Sequence, residues 1–230
     1  MQLVDETRIR ETHELLIHDS PSIGNHFFFI NDVLDCLDRY VRITAHADEH
    51  DLVYLRLLVR CFNSLAASLS LSLAGFWQPS ILVIRDLAET ASLLELFQYD
   101  KAQLVKWIGL ESKDRWSQFK PGAVRQMLSK IEGHDLGKRN QVYGRLSSLG
   151  GHPTPEGLQI MEIDSLTQVG PFADEARFRA MLEEMARQCD VLVRTLRMAA
   201  SRQVNPSERL SIVNELAACS VKWFENLKRN

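Results

Sequence analysis

Apolar residues recur at helical spacing along almost the whole chain. From Ile23 they fall at Ile23, Phe27, Ile30, Leu34, Leu37, Val41 and Ala45, three or four residues apart, which is one face of an α-helix. A second helix is predicted from about Glu49, with Leu52, Leu55, Val59, Phe62, Ala66, Leu69 and Leu73 as its stripe. Its other faces carry Val53, Leu57, Leu58, Leu65 and Leu71, so it is expected at the centre of a bundle. Ser64, Ser68 and Ser72 give it a narrow side that another helix can approach. Gly75 and Pro79 turn the chain into a third helix, about Pro79 to Tyr99, with the proline tolerated in the first turn. Two long helices close the sequence. One shows Phe178, Leu182, Met185, Cys189, Leu192, Leu196 and Ala199 on a single face, and the other, started by Asn205-Pro206, shows Leu210, Val213, Ala217, Ser220, Phe224 and Leu227.

Between these long elements the pattern weakens. Residues 1–20 read as a short helix ended by Asp19-Ser20-Pro21-Ser22. Residues 100–151 are more polar and are broken by Gly109, Pro121, Gly122, Gly133, Gly137 and Gly144, which predicts several short helices, the last ended by Gly150-Gly151-His152-Pro153-Thr154-Pro155. Residues 157–172 permit a small hairpin around Asp164-Ser165. Neither an internal repeat nor a linker-like tract divides the chain. The expectation is an all-α fold, a single helical bundle over 1–230: residues 1–22 an N-terminal arm or short helix, 23–201 the core bundle, 206–228 a C-terminal helix.

Composition narrows the class without naming a function. The 230 residues are 45% hydrophobic and 25% charged, which excludes a disordered or low-complexity chain. A net charge of −3 gives no whole-molecule attraction to nucleic acid or anionic lipid. The four cysteines are far apart and set in apolar helical contexts, so they read as reduced core thiols. With acid at Asp5 and Glu6, where a signal peptide needs base, a cytoplasmic protein is expected. Cys61 to Ile84 lacks formal charge, but its serines, Asn63, Gln78, Gly75 and Pro79 favour two core helices over a membrane span.

The strongest chemical pointer is Tyr143-Gly-Arg145-Leu-Ser147-Ser-Leu-Gly-Gly-His152. Arg145 and His152 stand two helical turns apart and would share a face to within about 20° if the helix survived that far. The paired glycines make that continuation unexpected, while leaving His152 free to fold back. A guanidinium binds phosphate bidentately, and imidazole exchanges protons near neutrality. Together they could cleave RNA without metal, His152 deprotonating the ribose 2′-hydroxyl and Arg145 stabilising the phosphorane. The alternative is that His152 satisfies helix-end carbonyls and Arg145 is exposed or ion-paired. Arg85 and Glu89, one turn apart on an apolar helix, read either as an ion pair tying helices together or as part of a polar pocket near Tyr143 and His152.

The run Gly75-Phe-Trp-Gln-Pro-Ser-Ile-Leu-Val-Ile-Arg85-Asp-Leu-Ala-Glu89, followed by Tyr143-Gly-Arg-Leu-Ser147 and His152-Pro-Thr-Pro, resembles a family of uncharacterised bacterial helical proteins related to the HEPN superfamily of four-helix bundles. The resemblance covers roughly residues 50–200. HEPN proteins often carry an arginine, four to six residues and then a histidine, and many are dimeric, metal-independent endoribonucleases of toxin, phage-defence or RNA-processing systems. What it implies here is a four-helix core with extra helices, an RNA-directed protein, at its furthest an endoribonuclease with Arg145 and His152 as catalytic pair, a homodimer, and a protein partner such as an antitoxin. Tyr143, Ser147, Arg85 and Glu89 would surround the pair.

Two further patterns carry chemistry. His46-Ala-Asp-Glu49-His50 spells the H-x-x-E-H of zinc peptidases, in which His46 and His50 would hold the metal and Glu49 would act as general base. The acidic cluster 48–51 reads equally as a helix start, which would break that geometry, so no metal and no cofactor is expected. Lys113 to Arg145 holds eight basic and three acidic residues, Lys138 and Arg139 among the basic, interleaved with Trp116, Phe119 and Tyr143 as an RNA-contacting surface would be. The competing function for all of these residues is a non-catalytic helical interaction module or scaffold.

Overall fold

The computed structural model describes residues 5–44, 48–133, 136–200 and 207–228, with the side chains of Lys138, Ala200 and Ser207 left aside. Among them are eleven α-helices and one two-stranded sheet. Four long helices form the centre: α2 (Pro21–Ile43), α3 (Glu49–Leu73), α4 (Trp77–Tyr99) and α10 (Glu175–Ala200). α11 (Ser207–Leu227) lies against α2 and α10, and α1 (Glu6–Asp19) against α2 and α3. The fold is all-α, as the periodicity requires. One contiguous core draws Ile30, Leu37, Leu65, Ile84, Leu146, Leu182 and Val213 from five of these elements and from α8 (Leu136–Leu146).

The hinge between α3 and α4 shows how closely local sequence sets the packing. α3 ends in a Schellman motif: the Phe76 N–H donates to the Leu71 carbonyl at 2.9 Å and the Gly75 N–H to Ser72 at 3.0 Å. Gly75 sits at φ +79°, and a Cβ there would strike the backbone of Phe172, so only glycine fits. The two helices then close along their serines. Ser72 and Ser80 share a 2.7 Å hydrogen bond, Ser80 Oγ donates to the Ser68 carbonyl at 3.0 Å, and Ser64 Oγ donates to Asp86 at 2.7 Å, with Arg60 paired to the same carboxylate. Small side chains let the backbones approach, and each buried hydroxyl finds a partner, so the seam carries no desolvation penalty.

That seam also corrects the expected face of α3. Its buried residues are Leu58, Cys61, Ser64, Leu65, Ser68, Leu69 and Ser72, while Val59, on the predicted stripe, is exposed. A helix apolar on several sides has no preferred rotation of its own, and the close approach to α4 selects one. α11 is rotated in the same way: Trp223 is buried where Phe224 was expected, because its indole stacks on Phe29 with centroids 5.0 Å apart and donates to His26 Nδ1 at 3.0 Å. α10 buries all seven predicted positions. The third long helix begins at Trp77, two residues before the predicted start, and keeps Pro79 in its first turn.

Five short elements follow α4: α5 (Lys101–Gly109), α6 (Ser112–Phe119), α7 (Pro121–Glu132), α8, and a π-helical turn over Ser147–Gly151 that prolongs α8. Leu96, Phe97, Leu104, Val124 and Leu128 make a second, smaller core beneath α5 and α7. After a short helix, α9 (Pro155–Gln159), comes the hairpin: β1 (Glu162–Ile163) pairs antiparallel with β2 (Leu166–Thr167), and Asp164 and Ser165 take φ +49° and +64° in its two-residue turn. Only α3, among the described residues, is long and apolar enough to cross a membrane by length and composition; here it packs on α2, α4 and α10. All four cysteines are free thiols, with Cys36, Cys61 and Cys189 buried.

Two histidines are buried as neutral rings. His13 is fully covered, its Nδ1 donating to the Leu73 carbonyl at 2.9 Å and its Nε2 accepting from the Asp174 N–H, while its ring stacks on Phe178. His26 accepts the Trp223 indole proton. Burial lowers the pKa of both, against the pull of Asp174 on His13 and of Glu183 on His26. The unfolded chain protonates these rings as pH falls through about 6.5, whereas the folded chain takes the protons only at lower pH, so stability is full above that value and is lost below it, by up to about 1.4 kcal/mol per pH unit for each ring. Urea unfolding midpoints measured between pH 7.5 and pH 5 should fall on acidification, and His26→Gln, which keeps an acceptor for Trp223, should flatten the dependence.

Candidate functional site

α4 is buried over much of its surface yet carries Arg85, Glu89 and Glu95, and the short helices after it are placed by what those charges need. Arg85 Nε donates to Glu89 Oε1 at 3.0 Å within the helix, and Arg85 Nη2 donates to Tyr143 Oη on α8 at 2.6 Å. The Tyr143 ring lies between two guanidiniums, Arg85 with its Cζ 5.0 Å from the ring centroid and Arg125 of α7 at 3.9 Å. Arg125 Nε donates to Asn140 Oδ1 at 2.9 Å. Glu95 is only 2% exposed, and Arg139 of α8 reaches it at 2.9 Å while clasping both oxygens of Glu132 on α7 at 2.8 Å. One arginine thus joins α4, α7 and α8.

The π-turn is held by a different constraint. Gly150 lies against Ile81 and the backbone of Leu82, and Gly151 against the Arg85 guanidinium; a Cβ at Gly150 would come within 2.8 Å of Ile81 Cγ2 and 2.9 Å of Leu82 N. The paired glycines therefore do not end the helix at once, as their composition suggested. They let it widen by one residue and continue on the surface of α4, where a side chain would have pushed it off. The His152 N–H donates to the Ser147 carbonyl at 3.0 Å, five residues back, and His152 itself is extended. A turn that takes in an extra residue rotates less per residue, so the near-coincidence expected of positions seven apart on an α-helix does not carry across to His152.

No protein-family model, curated protein or solved structure matches this chain. The site is therefore read from its own geometry.

Of the residues singled out in the sequence, Glu89, Tyr143 and Arg139 line one cavity of about 380 Å³ between α4, α7, α8, α10 and α11, and Arg85 stands behind two of them, bonded to Glu89 and Tyr143. Arg145 is exposed and lines a neighbouring cavity of about 470 Å³ with Ile81, Leu149, Met181, Glu184 and Arg187. His152 is exposed just beyond the π-turn and is not part of that lining. Among the described residues neither the Arg145 guanidinium nor the His152 ring has a hydrogen-bond or ion-pair partner. Ser147 Oγ is buried without a partner there. Lys138 belongs to α8. His46 lies outside the described residues; Glu49 is the first residue of α3, capped by Asp48, and His50 Nδ1 faces Asp48 at 3.7 Å. α3 therefore does not offer the helical ligand spacing of a zinc peptidase, and no group of metal-binding side chains occurs among the described residues.

The basic segment is only partly a surface. Arg115 caps α5, donating to the carbonyls of Trp107 at 2.8 Å and Leu110 at 2.6 Å, and Arg139 is spent on Glu95 and Glu132. Lys113 and Lys120 stay exposed beside Trp116, which is 70% exposed, while Phe119 packs on Phe97. Sequence reasoning missed Glu95, Arg125 and Glu184. Glu95 could have been found, because a carboxylate inside Leu93-Leu94-Glu95-Leu96-Phe97 carries the same signal as Arg85. Glu184 of α10 has no local signal; burial raises its pKa against the hydrogen bond from Gln188 and the nearby Arg187 and Arg145.

Two consequences can be measured. Arg139→Ala should destabilise the protein by about 3–5 kcal/mol in urea unfolding, since it strands the buried Glu95. Gly150→Ala should cost about 1–3 kcal/mol through overpacking against α4.

Proposed function

We propose that this protein is RNA-directed and that its reactive pair, if it cleaves its substrate, is Arg145 and His152. One observation carries this reading: the two side chains stand at either side of a π-turn fixed on α4, both open to solvent and neither in a hydrogen bond or salt bridge among the described residues, while Arg85, Arg115 and Arg139 are all engaged inside the fold. π-turns inserted in helices are frequent at functional sites. An exposed guanidinium before the π-turn and an exposed imidazole after it would suit a phosphodiester strand laid across the turn. His152 would take the 2′-hydroxyl proton, the 2′-oxygen would attack the adjacent phosphorus and break its bond to the 5′-oxygen, Arg145 would hold the non-bridging oxygens, and the 5′-oxygen would leave with the proton returned by the His152 imidazolium, directly or through water. The resemblance to HEPN proteins supports the same chemistry, together with a homodimer and a restraining protein partner. Trp116 with Lys113 and Lys120 would supply a stacking and charge contact to single-stranded RNA.

A helical interaction module is the second reading, favoured by how much of the basic segment is consumed in internal bonds. The two readings separate in one experiment. End-labelled RNA incubated with the purified protein in EDTA should be cut to 2′,3′-cyclic phosphate and 5′-hydroxyl ends, and His152→Ala or Arg145→Ala should slow cutting by about 10²–10⁴-fold. Neither substitution should change unfolding free energy by more than about 0.5 kcal/mol, since neither removes a hydrogen bond or ion pair. RNA that stays intact and unretarded by the wild-type protein would leave the interaction module standing.

A further inference from the structure

We propose that the cavity between α4, α7, α8, α10 and α11 is a binding site for a small organic anion with a flat apolar body, its charged group held by Arg125. Its volume of about 380 Å³ falls within the range of small-molecule sites, about 300–1,000 Å³. The charged side chains around it are nearly all balanced by neighbours: Arg139 by Glu95 and Glu132, Arg187 by Glu183, Arg194 by Asp190, Glu89 by Arg85. Arg125 is the exception. Half-buried, it spends Nε on Asn140 and its face on Tyr143, and among the described residues it makes no salt bridge, the Glu89 carboxylate acting on it only from farther off. Burial pulls its pKa below that of an ordinary arginine, outweighing the raising effect of the Tyr143 hydroxyl and the Glu89 carboxylate, so the guanidinium is partly desolvated and incompletely compensated. A planar donor pair in that state is matched by a carboxylate or a phosphate monoester.

The rest of the lining suits the body of such a molecule. Ala88, Val142 and Val191 offer aliphatic surface, and Trp223 and Phe224 offer rings. The indole is fixed in place by Phe29 and His26, so it presents a preformed wall. Glu184, whose carboxyl burial pushes towards the neutral acid, can donate to or accept from a polar substituent. Arg145 and His152 are outside this lining, so the site stands or falls independently of RNA chemistry.

The test is a fluorescence titration of the full chain, read at tryptophan, with 2-naphthoate, adenosine 5′-monophosphate and inorganic phosphate as separate titrants. At least one of the two organic anions should bind saturably, and Arg125→Gln should weaken it about ten- to a hundredfold with the circular dichroism spectrum unchanged. Ala88→Leu, which fills the cavity and leaves Arg125 in place, should also weaken binding and decides the matter should Arg125→Gln fail to fold. Naphthoate or the nucleotide as the tighter ligand identifies the anion as carboxylate or phosphate ester. The proposal is overturned if neither organic anion saturates, if both variants bind like wild type, or if inorganic phosphate binds as tightly as the organic anions.

Discussion

A carboxylate cannot be left alone in a packed interior, and Glu95 stands in one. Sited on the most enclosed helix of the bundle, it must be met by a cation whose remaining donors are also satisfied, since the cost of an unpaired buried charge exceeds most single contacts in a protein of this size. Arg139 answers it and, by clasping Glu132 with the same fork, brings α7 and α8 down onto α4. The small core of Leu96, Phe97, Leu104, Val124 and Leu128 supplies the apolar burial beneath them, but apolar contact is not directional; the fork is. Tyr143, Arg125 and the π-turn occupy their positions because α8 is fixed there.

The same helix shapes the other end of α8 by steric means. Ile81, Leu82 and Arg85 leave room for backbone alone, and Gly150 and Gly151 supply it. Continuing as a wider turn across α4, the chain presents Arg145 before the turn and His152 after it, each facing water. One helix therefore helps to set two features, the cavity lined by Arg125 beside α8 and the exposed Arg145 and His152 around the π-turn. The two need not serve one ligand. The two cavities share Val142, Glu184 and Arg187 as a common wall.

How much of this could be read from the residues differs by element. α10 has a single apolar face, and every position of that face is buried; its pattern left one solution. α3 and α11 are apolar on more than one side, and for them spacing predicted a helix without predicting its rotation. Val59 and Phe224 were expected inside and stand outside, displaced by a serine seam in one case and by the Trp223 indole with its histidine acceptor in the other. In the site, Arg85, Glu89, Tyr143 and Arg139 were recognisable because a charge in an apolar run, or a polar cluster beside paired glycines, is a local signal. Arg125 and Glu184 carried none, because what marks them is burial at the cavity, and that is a property of neighbours far away in the chain.

From the order of its residues alone, this protein was bound to be a bundle of long helices with a polar, broken stretch after the third of them, and residues 157–172 permitted a small hairpin around Asp164-Ser165, which the structure shows as a two-residue turn. Those features depend on periodicity, on turn chemistry and on where glycine and proline fall, all of which act within a few residues. The rotation of each helix, the survival of the eighth helix through Gly150-Gly151, and the division of arginines into those spent on carboxylates and those left over came only with packing. Each depends on which surface lies opposite, and that surface is contributed by residues tens of positions away.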